Sequence, residues 1–141
     1  MKDKNLKSLV INCGELSNKI RFYHWNVRGR NFVELHMFFE EQYNLLNNAV
    51  DIFAERCVIR SGNFFLDQSD RKELLMINAA EDNFDVNFIL SSLLSDNQKI
   101  IDLLKQIRNE YSSDDAVTES EAINLLTTLE KSNWFVKAMI G

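Results

Sequence analysis

The chain contains only two histidines, His24 and His36, and they stand twelve residues apart. Three carboxylates follow at helical spacings: Glu40, Asp51 and Glu55. Imidazole and carboxylate together form a borderline-hard donor set that suits divalent iron, manganese or zinc, and the absence of thiolate from it argues against copper(I) and iron–sulfur clusters. Iron leads this set, with zinc as the competitor. At about 100° per residue, His36, Glu40, Asp51 and Glu55 project within an arc of roughly 100° on one helix.

Their positions along the helix axis impose a second condition. His36 and Asp51 are separated by fifteen residues, which is roughly 22 Å at 1.5 Å per residue. Bridged metal ions sit only about 3.5–4 Å apart, so the His36/Glu40 pair and the Asp51/Glu55 pair cannot meet within one chain. They meet if a second copy of the helix lies antiparallel across the first. A two-fold axis near Leu45 and Leu46 then yields two identical sites across an isologous interface.

The elements that must position these residues read as helices. From Leu6, apolar side chains recur at Leu9, Val10, Cys13, Leu16, Ile20, Tyr23 and Val27, the three–four spacing of an amphipathic helix that ends near Arg28 and Gly29. Asn31 with Glu34 has the form of a capping box opening a second helix to about Ile59. That helix carries a wider apolar stripe than one core face needs, so it is expected to pack on two surfaces. Arg60 to Asn63 is a break, and the segment to Ser69 is a long crossover able to hold a short helix. A third helix is expected from about Arg71 to Tyr111, with a late start or kink in the polar stretch Asn78 to Asn87 and its main body from Ala80. Thr118 with Glu121 reads as a capping box for a fourth helix. The expected fold class is all-α: a four-helix bundle with the long connection in the middle.

Composition agrees. The chain has 141 residues, 45% of them hydrophobic, no proline and four glycines, which allows one sizeable core in a single domain spanning 1–141 and long uninterrupted helices. The start of the chain has no apolar leader, and no run of apolar residues is long enough to span a bilayer, so a cytoplasmic protein without a membrane partner is expected. Cys13 and Cys57 fall among apolar positions and read as buried thiols. A formal charge of −5 suits a protein that attracts cations and repels a phosphate backbone at long range.

The run His24-Trp25-Asn26-Val27-Arg28-Gly29, followed by Phe32, Leu35-His36, Phe39-Glu40-Glu41, Asp51 and Ala54-Glu55-Arg56, resembles the signature of the Dps family, the miniferritins that protect DNA during starvation. Similarity is weaker over the rest of the chain, notably at Asn124-Leu125-Leu126 and around Trp134. The resemblance implies a ferritin-like bundle with a short helix in the middle crossover, assembled as a homo-oligomer, a hollow dodecamer built from two-fold dimers. It implies a ferroxidase centre between subunits holding two iron ions, with His24, His36 and Glu40 from one chain and Asp51 and Glu55 from its partner. The implied function is oxidation of Fe(II) by hydrogen peroxide or oxygen and storage of Fe(III), which protects against oxidative damage. The alternative is a DNA-compacting protein whose centre is vestigial or holds zinc.

Further roles follow from the same resemblance. Trp25 stands where the family has a tryptophan near the centre; it is a candidate radical quencher, with simple packing the expectation favoured for it. Asp115 and Glu119 are candidate linings of an acidic pore, although capping of the fourth helix explains the same acids. Asn124 departs from an aspartate common in the family, and Glu40 stands where Asp is usual. Lys2, Lys4 and Lys7 are too few, and too diluted by Asp3, for a strong DNA-binding arm; a solubilising tail and weak DNA binding are expected.

Overall fold

The computed structural model describes residues 2–140, which form five helices in the order α1 (Lys2–Asn26), α2 (Phe32–Ser61), α3 (Gln68–Leu74), α4 (Val86–Tyr111) and α5 (Ala116–Met139). Helices α1 and α2 pack as one hairpin and α4 and α5 as another, and the two hairpins meet chiefly along α1 and α4. Lys19 pairs with Asp96 at 2.7 Å, and Asn5 donates to Glu110. Rising numbers on α1 therefore meet falling numbers on α4, so the two helices are antiparallel. The fold is an all-α four-helix bundle, with α3 in its middle crossover.

The core is built from the apolar stripes. Leu6, Leu9, Cys13, Leu16 and Ile20 of α1 lie against Leu35, Phe39, Leu46, Phe53 and Cys57 of α2 and Ile100, Leu104 and Ile107 of α4, all buried. One ion pair is sealed in with them. Lys19 and Asp96 are almost fully buried, and removing one partner of such a pair typically costs about 3–5 kcal/mol because the other charge is left unpaired.

The crossover is held by side chains that its own sequence does not supply. Asn12 of α1 accepts from the Met76 amide at 2.6 Å and donates to the Leu74 carbonyl at 2.9 Å. Lys99 of α4 donates to the Met76 carbonyl, and the Tyr23 hydroxyl accepts from the Glu81 amide at 3.1 Å. Backbone groups that would otherwise lack partners in an irregular segment are thereby satisfied. The expected long third helix is in fact two: α3 ends at Leu74, and α4 starts only at Val86 behind an Asp85 N-cap that accepts from the Phe88 amide. Residues between them are drawn out along α1, which competes successfully for their backbone bonds.

Three further expectations change. Asn31 adopts a left-handed conformation with φ 63°, and its side chain makes no cap bond, so the Asn31/Glu34 box does not form. The fourth helix begins earlier than Thr118: Asp115 is its N-cap, accepting from the amides of Val117 and Thr118, and the Thr118/Glu121 box is absent. The N-terminal lysines are not on a tail. Helix α1 is already formed at Lys2, Lys4 pairs with Glu73 at 2.8 Å and Lys7 with Asp70 at 3.1 Å; Met1 lies outside the described residues. No described helix is long and apolar enough to cross a membrane.

Candidate metal centre

The five-residue connection joining α1 to α2, with Gly29 at φ 91° and Asn31 at φ 63°, brings the last turn of one helix beside the first turns of the next. It brings the two histidines into contact. Their rings stack with centroids 3.7 Å apart and an interplanar angle of 16°. Each Nδ1 lies 2.8 Å from the backbone carbonyl oxygen of the other residue. A carbonyl oxygen only accepts, so both Nδ1 atoms carry protons, which in a neutral ring leaves the Nε2 lone pair for another partner. Metal-ligating histidines typically have this arrangement, in which a backbone carbonyl sets the tautomer and the ring orientation.

Two further rings support the pair. Phe32 stacks on His36 with centroids 5.1 Å apart, and Tyr43 meets His24 edge-on at 5.3 Å. Arg21 lies over the Tyr43 ring at 4.6 Å. His24 is buried, while His36 is only partly covered. The clasp could not be read from the sequence pattern; a spacing of twelve residues across a tight turn was its only trace.

The carboxylates are arranged otherwise. Glu40, Asp51 and Glu55 are all exposed on the outward face of α2, opposite the buried face that carries Leu35, Phe39, Gln42, Leu46, Ala49 and Phe53. Among the described residues, no group of three or more His, Cys, Asp or Glu of one chain comes together to hold a metal ion. Of the five predicted ligands, the chain itself thus gathers His24 and His36, with Glu40 one turn further along α2. Asp51 and Glu55 stand several turns away.

Trp25 is 66% exposed, so the expectation that it packs within its own bundle does not hold. The ring projects from the last turn of α1 because His24, its neighbour, occupies the inward position. Asp115 and Glu119 also part company. Burial works to raise the Asp115 carboxyl, but bonds from the Thr118 hydroxyl and amide, Arg56 and Arg60 outweigh it and hold it well below the usual carboxylate range. Arg56 reaches it at 3.0 Å and Arg60 at 3.1 Å. Asp115 therefore has the capping role that competes with a pore role, while Glu119 is partly exposed and has no side-chain bond among the described residues. Cys13 and Cys57 are buried free thiols, as expected, and burial pushes them up to about 12 and about 11.

Comparison with known proteins places this geometry in a group. A family model described as a ferritin-like domain matches residues 4–141. The DNA protection during starvation protein 2 of Bacillus anthracis is 26% identical over 137 residues, covering 96% of this chain and 94% of that protein. The crystal structure of Dps from Staphylococcus aureus superposes with a TM-score of 0.91 at 28% identity, covering 99% of this chain and 95% of that one. A DPS protein from Vibrio cholerae O1, described as a member of a broad superfamily of ferritin-like diiron-carboxylate proteins, gives 0.90 at 25% identity, with 99% and 89% covered.

Proposed function

The chain belongs to the ferritin-like family and, within it, to the Dps miniferritins, and from that premise we propose that it oxidises ferrous iron at centres shared between two copies and stores the ferric product in a closed shell. The observation that carries this reading is the His24/His36 clasp, which commits both Nδ1 protons to backbone carbonyls and turns both Nε2 atoms away from them, with the exposed Glu40 one turn further along α2. Asp51 and Glu55 of a partner chain complete the donor set, across an axis near Leu45 and Leu46.

Iron is the substrate here. Two ferrous ions held at one centre give up one electron each, and together they reduce one hydrogen peroxide with two protons to two waters. A lone ferrous ion supplies one electron and releases hydroxyl radical instead, so pairing the ions is what makes the chemistry protective. The chain's own part is to bind and orient: unprotonated imidazole nitrogens would donate the softer lone pairs, and the carboxylates would offset the charge that grows as iron becomes ferric. Zinc fits the same donors and competes for them. Trp25, exposed beside His24, is placed to donate an electron to a stray radical.

We assign cation entry to the acidic start of α5, with Glu119 supplying the charge that Asp115 has committed to its arginines. The assembly proposed is a dodecamer of two-fold dimers in the cytoplasm. Light scattering should give about twelve times the 16.5 kDa chain mass, and peroxide added to the iron-loaded protein should oxidise Fe(II) without hydroxyl radical. A stable monomer with full oxidase activity would sink the shared-centre reading.

DNA compaction is the weaker alternative. Two of the three N-terminal lysines are already in ion pairs on a helix, and a chain charge of −5 repels the duplex. Plasmid shifts over a salt series should show no submicromolar binding near 150 mM salt, on the order of physiological. The comparison variant is Lys4→Glu with Lys7→Glu. Truncating residues 1–5 is unsuitable, because Asp3 accepts from the Tyr111 hydroxyl at 2.8 Å and its loss would disturb the bundle.

A further inference from the structure

We propose that Tyr43 is a positioning residue for the metal centre: its ring fixes the plane of the His24 imidazole and, through the stack, that of His36, before any ion arrives. This rests on the shared-centre reading above. The Nδ1 contacts do not fix those planes by themselves. A bond from Nδ1 to a carbonyl anchors one atom of the ring, and the histidine χ2 torsion is broad, so the ring can still swing about its anchor and carry Nε2 sideways. Ligating groups have to be held within about 10–20° of the productive direction. The 3.7 Å stack couples the two imidazoles to each other, but a coupled pair can swing together. The support has to come from outside the pair.

Tyr43 supplies it. Its ring and that of His24 have centroids 5.3 Å apart and planes 77° apart, the separation of an edge-to-face pair in contact, so neither ring can turn far without striking or leaving the other. Tyr43 is held in its turn. The Arg21 guanidinium lies 4.6 Å from the centre of its ring, and the fully buried Ser17 hydroxyl donates to its carbonyl at 3.1 Å. Ser17, Arg21 and His24 follow one another at spacings of four and three residues, which puts them on one face of α1. Tyr43 lies along that face, braced by Ser17 and Arg21 and in contact with the ligand that follows them.

Phe32 does not share this bracing. It stacks on His36 at 5.1 Å, but it is the first residue of α2 and is 39% exposed. The half-buried Tyr43 is the ring that α1 and α2 hold between them.

Metal affinity, measured without oxidation, tests the role. Zinc(II) alone is titrated into the assembled protein against a competing chelator, and cobalt(II) alone reports ligand geometry through its visible absorption. Tyr43→Phe keeps the ring and should bind zinc within about twofold of wild type, whereas Tyr43→Leu should bind about tenfold more weakly, the effect of losing a group that orients a ligand. The cobalt spectrum should change in Tyr43→Leu and not in Tyr43→Phe. Light scattering and circular dichroism check that both variants keep the wild-type assembly and helicity. If Tyr43→Leu does not assemble, Arg21→Met decides instead: it leaves the ring and removes its brace, and zinc binding should weaken by about threefold, the size of one cation–ring contact. Wild-type affinity and spectrum in Tyr43→Leu, or wild-type affinity in Arg21→Met where that variant decides, overturns the positioning role and leaves the shared centre standing. So does an equal loss in Tyr43→Phe, which would assign the effect to the hydroxyl. Zinc and cobalt binding that His36→Ala leaves untouched overturns the shared centre itself, and the positioning role with it.

Discussion

The two ends of the α1–α2 hairpin handle their charges in opposite ways. At the end where α2 finishes, Asp115 caps α5 and accepts from Thr118, Arg56 and Arg60 together, Arg60 also reaches Asp3, and its guanidinium lies 4.7 Å from the centre of the Tyr111 ring. At the end where α2 begins, the histidines satisfy each other's backbone but leave their outward nitrogens unused. Glu40, and Asp51 and Glu55 further along the helix, have no bonded partner among the described residues. One end is bonded within a single copy; at the other, the same donors find no bonded partner among the described residues. Charge clusters of similar density can thus hold a fold together or bind what comes from outside, and hydrogen-bond satisfaction tells them apart.

The strongest way to break this contrast is to remove the waiting donors. Replacing His24, His36, Asp51 or Glu55 by alanine should slow peroxide-dependent iron oxidation by about 10-fold or more while leaving the assembly's size in light scattering unchanged. Wild-type rates in His36→Ala and Asp51→Ala together would mean that oxidation happens elsewhere.

The converse change acts on stability. Asp115→Ala removes an N-cap and the ion pair of Arg56, leaving Arg60 with Asp3 and Asp114, and it should cost about 3 kcal/mol in denaturant unfolding while the oxidation rate of the folded protein at saturating iron is unaltered. A loss of oxidation without a loss of stability would reverse the two assignments. The pH dependence has a definite sign. Because the folded carboxyl is held below its ordinary value, its contribution is present in full above the unfolded value of about 4 and is lost as pH falls further toward the folded value. Wild type and Asp115→Asn should therefore differ in stability throughout pH 5–7, on the order of neutral conditions, and converge only in stronger acid below about 4.

The smallest expected effect sharpens the contrast. Glu40→Asp shortens a carboxylate that makes no bond among the described residues, and it restores the residue common in the family. Oxidation should be unchanged or faster by at most about threefold, with no change in unfolding. A marked slowing would mean that the extra methylene of Glu40 is part of how this chain places its oxygen.

Legibility followed the range of the interactions. The three–four apolar periodicity of α1, α2, α4 and α5 located four helices, and the polar break at Arg60 to Asn63 located the start of the crossover, whereas its short helix, Gln68–Leu74, falls largely inside the stretch read as the third helix. Helix ends were less legible. Asn31 and Thr118 have the residue types of N-caps, but Asn31 spends its conformation on the left-handed turn that swings α2 back beside α1, and Asp115 outcompetes Thr118 because two arginines from α2 fix its carboxylate over the first turn of α5. Trp25 looked like a packing residue because aromatic rings at helix junctions usually pack, yet the inward direction there belongs to His24.

What the sequence by itself determined is the family, the helical pattern and the arc shared by His36, Glu40, Asp51 and Glu55, because these depend on residue types and on a period of 3.6, and both are local. What only the tertiary structure decided is the state of the histidines. Their stacking, and the exchange of Nδ1 bonds with each other's carbonyls, need two helix ends brought to one place at a set angle. That angle comes from positive φ at Gly29 and Asn31 and from the packing of α1 on α2, and no spacing along the chain encodes it.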